Sequence, residues 1–302
     1  MENPQAERVK NVAALAHRKV RQKSQRFLVE GPQAVREALK YHLDQAAILD
    51  AIYLTQASLD RHPDLADLLD AIIASAKLQP GRKVYVRLAS EAVLAAMSTA
   101  VTAQGILAVC FALKRDAADY FAAAGPHPRL VAALCQIQDP GNAGTILRAA
   151  DAAGADLLIT SSGTVDLYNP KTVRAATGSH FHLPVVEGVP MDQLLEQASA
   201  AGLGVLAADG YGQQNLHQLS RAALLASQPG SAAPLGYDLR QPTVWLFGNE
   251  AQGLGPALKK QATAAVAVPL YGQAESLNVG MAASICLFAS AQAQHLEGEP
   301  HG

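Results

Sequence analysis

Between Leu130 and Leu270 one pattern recurs: a short apolar run, a turn, then a segment of helical length. The runs LVAALCQI, LLIT, VLAA, VWLF and AVAVPL show almost no alternation of polar and apolar residues. A strand that is apolar on both faces has to be covered on both faces, which points to a parallel sheet layered between helices. The expected fold class is therefore α/β. Strands are expected at 130–137, 156–160, 182–186, 205–208, 244–247 and 264–270, and helices at 141–153, 170–176, 191–201, 256–262 and 276–295. One segment, 217–241, is rich in Ser, Ala, Gly and Pro and breaks the rhythm; it reads as a flexible surface loop.

A smaller series precedes it. Helices are expected at 7–23, from Gly31 to Tyr41, at 63–78 and at 90–98, and strands at 27–30, 51–54, 83–87 and 106–113. The stretch 114–128, with Gly125-Pro126 and Pro128, reads as a linker. The domains expected are 1–113 and 129–302, and a chain of 302 residues is long enough for two. Aromatics make up only 5% of residues, so the cores are expected to be built from Ala, Leu, Val and Ile.

Cys110, Cys135 and Cys286 lie far apart in apolar segments with no CxxC pair, which fits reduced core thiols and neither a disulfide frame nor a zinc site. His180 and His182 have no further ligands at metal-binding spacing, so no metal is expected. MENPQAERVK has no apolar signal core, and the apolar run after Asn278 is too interrupted and too short to span a bilayer. A cytoplasmic protein without membrane attachment is expected. Charge is unevenly spread: nine basic residues face four acidic ones in the first 40, although the whole chain carries −2. That basic end fits an anionic partner such as nucleic acid, and equally a charge-laced solvated helix.

In such sheets ligands bind beyond the carboxyl ends of the strands, and three turns there carry unusual residues. In IQDPGNAGTILRAADAAGA, Asn142 is placed to cap a helix that carries Arg148; Asp151 at i+3 offers that arginine an ordinary surface partner. In VWLFGNEAQGLGP, Gly248, Gly253 and Gly255 allow close approach to the backbone, and Glu250 suits the start of a helix. In VPLYGQAESLNVGMAASICLF, Ser276 and Asn278 stand at the mouth of an otherwise apolar helix. One polar residue would cap it; two, flanking Leu277, imply that the mouth faces something polar.

Taken together, NxGxxxR (Asn142, Gly144, Arg148), LFGNEAQGLG and VPLYGQAESLNVGMAAS resemble, in order, the three motifs of the SpoU branch of the SPOUT RNA methyltransferases. NPKTVRAATGSHFHLPV is similar to that family too, and RFLVEGPQAVREAL resembles the substrate-binding domain of its ribosomal RNA members. The resemblance implies a C-terminal sheet tied in a deep trefoil knot, with the closing helix threaded through a loop, in a homodimer. It implies S-adenosylmethionine held by main-chain groups of Gly248, Val268 and Leu277, and catalytic positions at Asn142, Arg148, Glu250, Ser276 and Asn278. The reaction implied is methylation of a ribose 2′-hydroxyl in RNA, with 23S ribosomal RNA favoured by the N-terminal domain. The family's arginine is often assigned as general base; a guanidinium normally stays protonated, so two roles stand open for Arg148: that base, or a clamp that grips a phosphate and orients the hydroxyl, in its own subunit or across the dimer. Lys171, Arg174, Arg21, Lys23 and Arg26 are the expected phosphate contacts.

Rival readings are a transfer RNA 2′-O-methyltransferase and a non-catalytic RNA-binding protein on the same fold. A dinucleotide-binding enzyme is disfavoured, because VLAADGYGQ lacks G-x-G-x-x-G spacing.

Overall fold

The computed structural model describes residues 1–78, 83–122, 127–228 and 230–296. Two compact units form, one from Met1–Leu113 with Asp166–His182, the other from Lys114–Val165 with Leu183–Gly302. The chain therefore passes between them three times.

The first unit holds a four-stranded sheet of β1 (Arg26–Glu30), β2 (Leu49–Leu54), β3 (Tyr85–Leu88) and β4 (Ile106–Phe111), ordered β1-β4-β2-β3. Its strands alternate between two cores, as a period of two requires. Phe27, Val29, Ile52, Leu54, Ala108 and Cys110 face one cluster, while Leu28, Ala51, Tyr53, Leu107 and Val109 face the other. The first cluster is completed by Tyr168, Val173 and Phe181 from the 166–182 segment. Phe27 packs 4.6 Å from the Tyr168 ring, whose hydroxyl donates to the Leu113 carbonyl at 2.9 Å. Sequence order places this segment with the C-terminal series, but its three apolar side chains cover the β1 face of the first unit.

The second unit is built on a seven-stranded sheet. Its strands are β5 (Leu130–Leu134), β6 (Leu157–Ser161), β7 (Val185–Val189), β8 (Gly204–Ala208), β9 (Gln214–Asn215), β10 (Thr243–Phe247) and β11 (Ala264–Ala267). The order is β7-β6-β5-β10-β8-β11-β9, and every pair is parallel. From β5 the chain first builds outward through β6 and β7, then returns to the opposite side. The carboxyl ends of β5 and β10 thus flank the switch point where ligands settle in such sheets. On one face the closing helix, Val279–Gln294, buries Gly280, Ala283, Cys286, Leu287, Ser290 and Ala293. The indole of fully buried Trp245 on β10 donates to Ser290 Oγ at 2.9 Å, which satisfies both polar atoms inside the core.

Several expectations are corrected. The 217–241 connection is no loose loop: Leu216–Ala226 is a helix that buries Leu216, Leu219 and Ala223 at helical spacing, and Tyr237 and Leu239 are buried beyond it. The helix after β5 is Pro140–Ala152, and Asp139, not Asn142, caps it, accepting from the Asn142 N–H at 2.8 Å. The closing helix starts at Val279, three residues later than expected, with Asn278 as its cap. It is also not enclosed on every side, since Met281 and Phe288 are about half exposed (56% and 50%). The expected linker carries a short helix, Ala118–Phe121, and 123–126 lie outside the described residues.

Arg21 turns inward. Its Nε and Nη2 donate to Asp166 Oδ2 at 3.0 and 2.6 Å, and Nη1 donates to the carbonyls of Leu15 and Ala16 at 2.8 and 2.7 Å. The residue is buried, so it holds the unit together and offers no surface to a phosphate. The reason lies between the helices Glu7–Ala13 and Arg18–Ser24: the α-helix gives way there to a short 3-10 turn, Ala14–Ala16, and the carbonyls of Leu15 and Ala16 need a donor.

His180 is buried among Phe27, Tyr168 and Phe181. Its Nε2–H donates to the Leu167 carbonyl at 2.8 Å, and Nδ1 is buried without a partner among the described residues. Burial drives its pKa from the ordinary 6.5 to about 4, against the opposing pull of the Leu167 carbonyl and Asp166. The unfolded chain therefore binds the proton that the folded chain refuses, and stability falls as pH drops through 6.5 toward 4. His180→Gln, which keeps a donor for Leu167, is expected to flatten this dependence by roughly 3 kcal/mol between neutral pH and pH 4. Urea unfolding of both proteins across that range measures it.

Candidate active site

At the carboxyl edge of the seven-stranded sheet lies a cleft of about 740 Å³. Its walls are the turn after β10 (Phe247 to Leu254), the turn after β8 (Ala208 to Tyr211), the stretch after β11 (Val268, Leu270, Glu275 to Leu277) and the mouth of the closing helix. Asn142 reaches it from the helix after β5.

The organising group is Glu250. Its Oε1 accepts from the Asp139 N–H at 3.1 Å and from Asn142 Nδ2 at 3.1 Å, and its Oε2 accepts from the Gln138 N–H at 3.2 Å. With its amide nitrogen committed, Asn142 turns its Oδ1 outward to accept from Asn278 Nδ2 at 2.9 Å. That leaves Asn278 Oδ1 to accept from the N–H groups of Gly280 and Met281 at 2.9 and 3.4 Å. One chain of hydrogen bonds thus runs from the β10 turn through the β5 turn to the closing helix. Partial burial pushes the Glu250 carboxyl up, but the Asn142 amide and the backbone N–H groups around it outweigh this and hold it below the usual carboxylate range. With three donors satisfied it is a positioning carboxylate, not a free base.

The β10 turn is built to leave backbone near the cleft. Asn249 Nδ2 donates to the Gln136 carbonyl at 2.9 Å, and its Oδ1 accepts from the N–H groups of Ala251 and Gln252. Gly253 closes the turn at a φ of +65°, a conformation that favours glycine. Gly248 lies against the main chain of Gly253 and Leu254, and a Cβ there would collide with both.

Of the expected site residues, Asn142, Gly248, Glu250, Val268, Ser276, Leu277 and Asn278 line the cleft together. Ser276 is exposed and Leu277 half-buried. Arg148 does not line it: six residues beyond Asn142 on the same helix, it sits about 9 Å further along the axis. It is exposed and makes no hydrogen bond or ion pair among the described residues. In the first unit, Lys23 and Lys171 are exposed with free ammonium groups among the described residues. Arg174 donates to Glu30 Oε1 at 2.9 Å and to Thr99 Oγ1, while Arg26 lies over the Phe111 ring and pairs with Asp50 at 3.3 Å.

Sequence reasoning misses Asp209, Lys259 and Tyr211. Burial raises the Asp209 pKa, but the Lys259 ammonium at 2.9 Å and the Tyr211 N–H overcome it, and the carboxyl stays ionised. The signal is a carboxylate directly after an apolar strand, in VLAADGYG, a stretch whose glycine spacing alone says nothing of it. Among the described residues no cluster could hold a metal ion, and no helix is long and apolar enough to cross a membrane.

Fold and cleft define an α/β protein with a cleft of small-molecule size at the switch point of its parallel sheet. Residues 129–288 match the model of the SpoU rRNA Methylase family, and 6–108 match the MRM3-like substrate binding domain. The 23S rRNA (guanosine(2553)-2′-O)-methyltransferase RlmP of Bacillus subtilis strain 168 is 33% identical over 298 residues, covering 99% of each chain. The crystal structure of an AdoMet-bound rRNA methyltransferase from Sinorhizobium meliloti superposes with a TM-score of 0.74 at 26% identity, covering 96% of each chain. The SpoU methyltransferase AviRb of Streptomyces viridochromogenes, in complex with AdoMet, gives 0.72 at 25% identity, over 98% of this chain and 100% of that one. The chain belongs to the SpoU rRNA methylase family. It is a methyltransferase, and S-adenosylmethionine is its cofactor.

The residues present fit that cofactor. The cleft has the volume of a small-molecule site, and main-chain groups between Pro269 and Leu277 have no hydrogen-bond partners among the described residues. Gly248→Ala is expected to displace the 249–254 turn and abolish detectable S-adenosylmethionine binding in titration calorimetry, with the far-ultraviolet circular dichroism unchanged.

Proposed function

We propose that the protein methylates a ribose 2′-hydroxyl in large-subunit ribosomal RNA. The observation that carries this is the hydrogen-bond chain Glu250–Asn142–Asn278, which draws all three family motifs into one cleft. Likeness over nearly the full chain to a 23S rRNA 2′-O-methyltransferase supports the choice of RNA.

When bound, S-adenosylmethionine supplies a methyl group already activated on a sulfonium, so the protein's tasks are in-line placement and control of the hydroxyl proton. Main-chain groups of Gly248, Val268 and Leu277 hold the cofactor. Glu250, Asn142 and Asn278 fix the mouth of the closing helix, and Ser276 presents its exposed hydroxyl to the cleft. Arg148 stays protonated, grips a phosphate and orients the 2′-hydroxyl.

Arg148 stands outside its own cleft, and the closing helix beside it exposes Met281 and Phe288. Both observations support a homodimer in which that apolar face pairs and Arg148 serves the partner's site. The trefoil knot implied by the motifs is part of the same reading. The first unit binds the RNA, with Lys23 and Lys171 as the free cations for phosphates and Arg174 and Arg26 as partly engaged ones. The protein works in the cytoplasm, where its RNA is.

Two experiments test this. Mapping ribose methylation in a strain lacking the protein is expected to reveal a missing 2′-O-methyl in large-subunit RNA; an unchanged map refutes the function. Arg148→Ala is expected to bind S-adenosylmethionine normally and to lose methyl transfer by roughly a hundredfold or more, measured with tritiated cofactor.

A further inference from the structure

The stretch that forms one wall of the cleft is weakly held. Residues from Leu270 to Ser276 are all exposed. From Pro269 to Leu277 one hydrogen bond forms among the described residues: Tyr271 Oη lies 2.8 Å from His217 Nδ1. The two rings also stack, with centroids 5.8 Å apart and planes inclined by 26°. The stretch is anchored at its start by β11 and at its end by the Asn278 cap, and Tyr271 falls between.

His217, by contrast, stands on fixed ground. It opens the helix Leu216–Ala226, where Asn215 Oδ1 accepts from the N–H groups of His217 and Gln218 at 3.0 and 3.2 Å. Leu216, the residue before it in the chain, is fully buried. The helix follows β9, which pairs in parallel with β11 through Ala267 and Asn215. Two neighbouring strands therefore leave the sheet at the same edge, one into a rigid helix and the other into the exposed stretch, and the His217–Tyr271 contact ties the second to the first. Tyr271 itself does not line the cleft, whereas its neighbour Leu270 does.

We infer that Tyr271 and His217 are positioning residues for the cofactor: the pair pins the 269–277 stretch in its binding conformation before the cofactor arrives. This rests on the reading of the cleft as the S-adenosylmethionine site. A stretch of backbone that must be ordered on binding subtracts its entropy from the affinity, and a pin that orders it in advance restores that affinity. Neither residue lines the cleft, so the contact is expected to act on binding and not on methyl transfer.

The test uses the full chain and S-adenosylmethionine itself. Tyr271→Phe keeps the ring and removes the hydroxyl; it is expected to raise the calorimetric dissociation constant about fivefold, the worth of one hydrogen bond. Turnover at saturating cofactor is expected to hold. His217→Ala is expected to match or exceed that loss, His217→Asn to recover part of it through its side-chain acceptor, and the double variant to be no worse than His217→Ala. In the cofactor-free protein, chymotryptic cleavage within the exposed 270–276 stretch is expected to quicken in Tyr271→Phe and His217→Ala. Unaltered affinity and cleavage rate in these variants, or losses that add in the double variant, overturn the pin while the wild type still binds cofactor. A wild type that binds no S-adenosylmethionine overturns the pin and the methyltransferase reading together.

Discussion

The second unit depends on a single carboxylate that accepts from three donors. Glu250 is carried by the β10 turn, yet the three donors it accepts from lie on the β5 turn or the first turn of the following helix. Because it only accepts, it dictates which end of the Asn142 amide faces it, and that choice passes to Asn278 and on to the closing helix. The polarity of the chain is therefore set at one end and read at the other. Each member is partly open to water, so the network is worth less in stability than its length implies; its value lies in bringing three distant parts of the sequence to a common geometry.

Much of this architecture is legible in the residues. Five of the seven sheet strands announce themselves as short apolar runs, because burial on both faces removes the need for alternation. β9 does not: two residues, Gln214 and Asn215, carry no pattern at all. The helix at Leu216–Ala226 is masked by the Ser, Gly and Pro after it, although Leu216, Leu219 and Ala223 already show the period of a buried stripe. The polar residues at the site are visible as a set, since they stand where strands end. Their detailed roles are less accessible. Asp139 and Asn142 are both plausible caps by type, and only the position of Glu250 settles that Asn142 is occupied elsewhere.

Charged residues are the least legible. Arg21, Lys23 and Arg26 lie in one short basic run, yet they have three different fates. Arg21 is drawn inside by carbonyls left free at a helix break, Arg26 settles over an aromatic ring, and Lys23 remains in water. A run of positive charge gives the sum but not its distribution, because tertiary partners such as Asp166 arrive from 145 positions away in the sequence.

In the 166–182 segment, sequence neighbourhood and packing disagree. By its motif it goes with the methyltransferase half, but Tyr168, Val173 and Phe181 fill the apolar layer over β1, and Asp166 neutralises the inward guanidinium of Arg21. Transplanting residues 1–113 alone onto a relative's catalytic half would therefore set the β1 face and the Arg21 guanidinium against a segment not matched to them. A chimera that exchanges the recognition half between such proteins has to move both pieces of chain at once, so the modular unit of this protein is discontinuous.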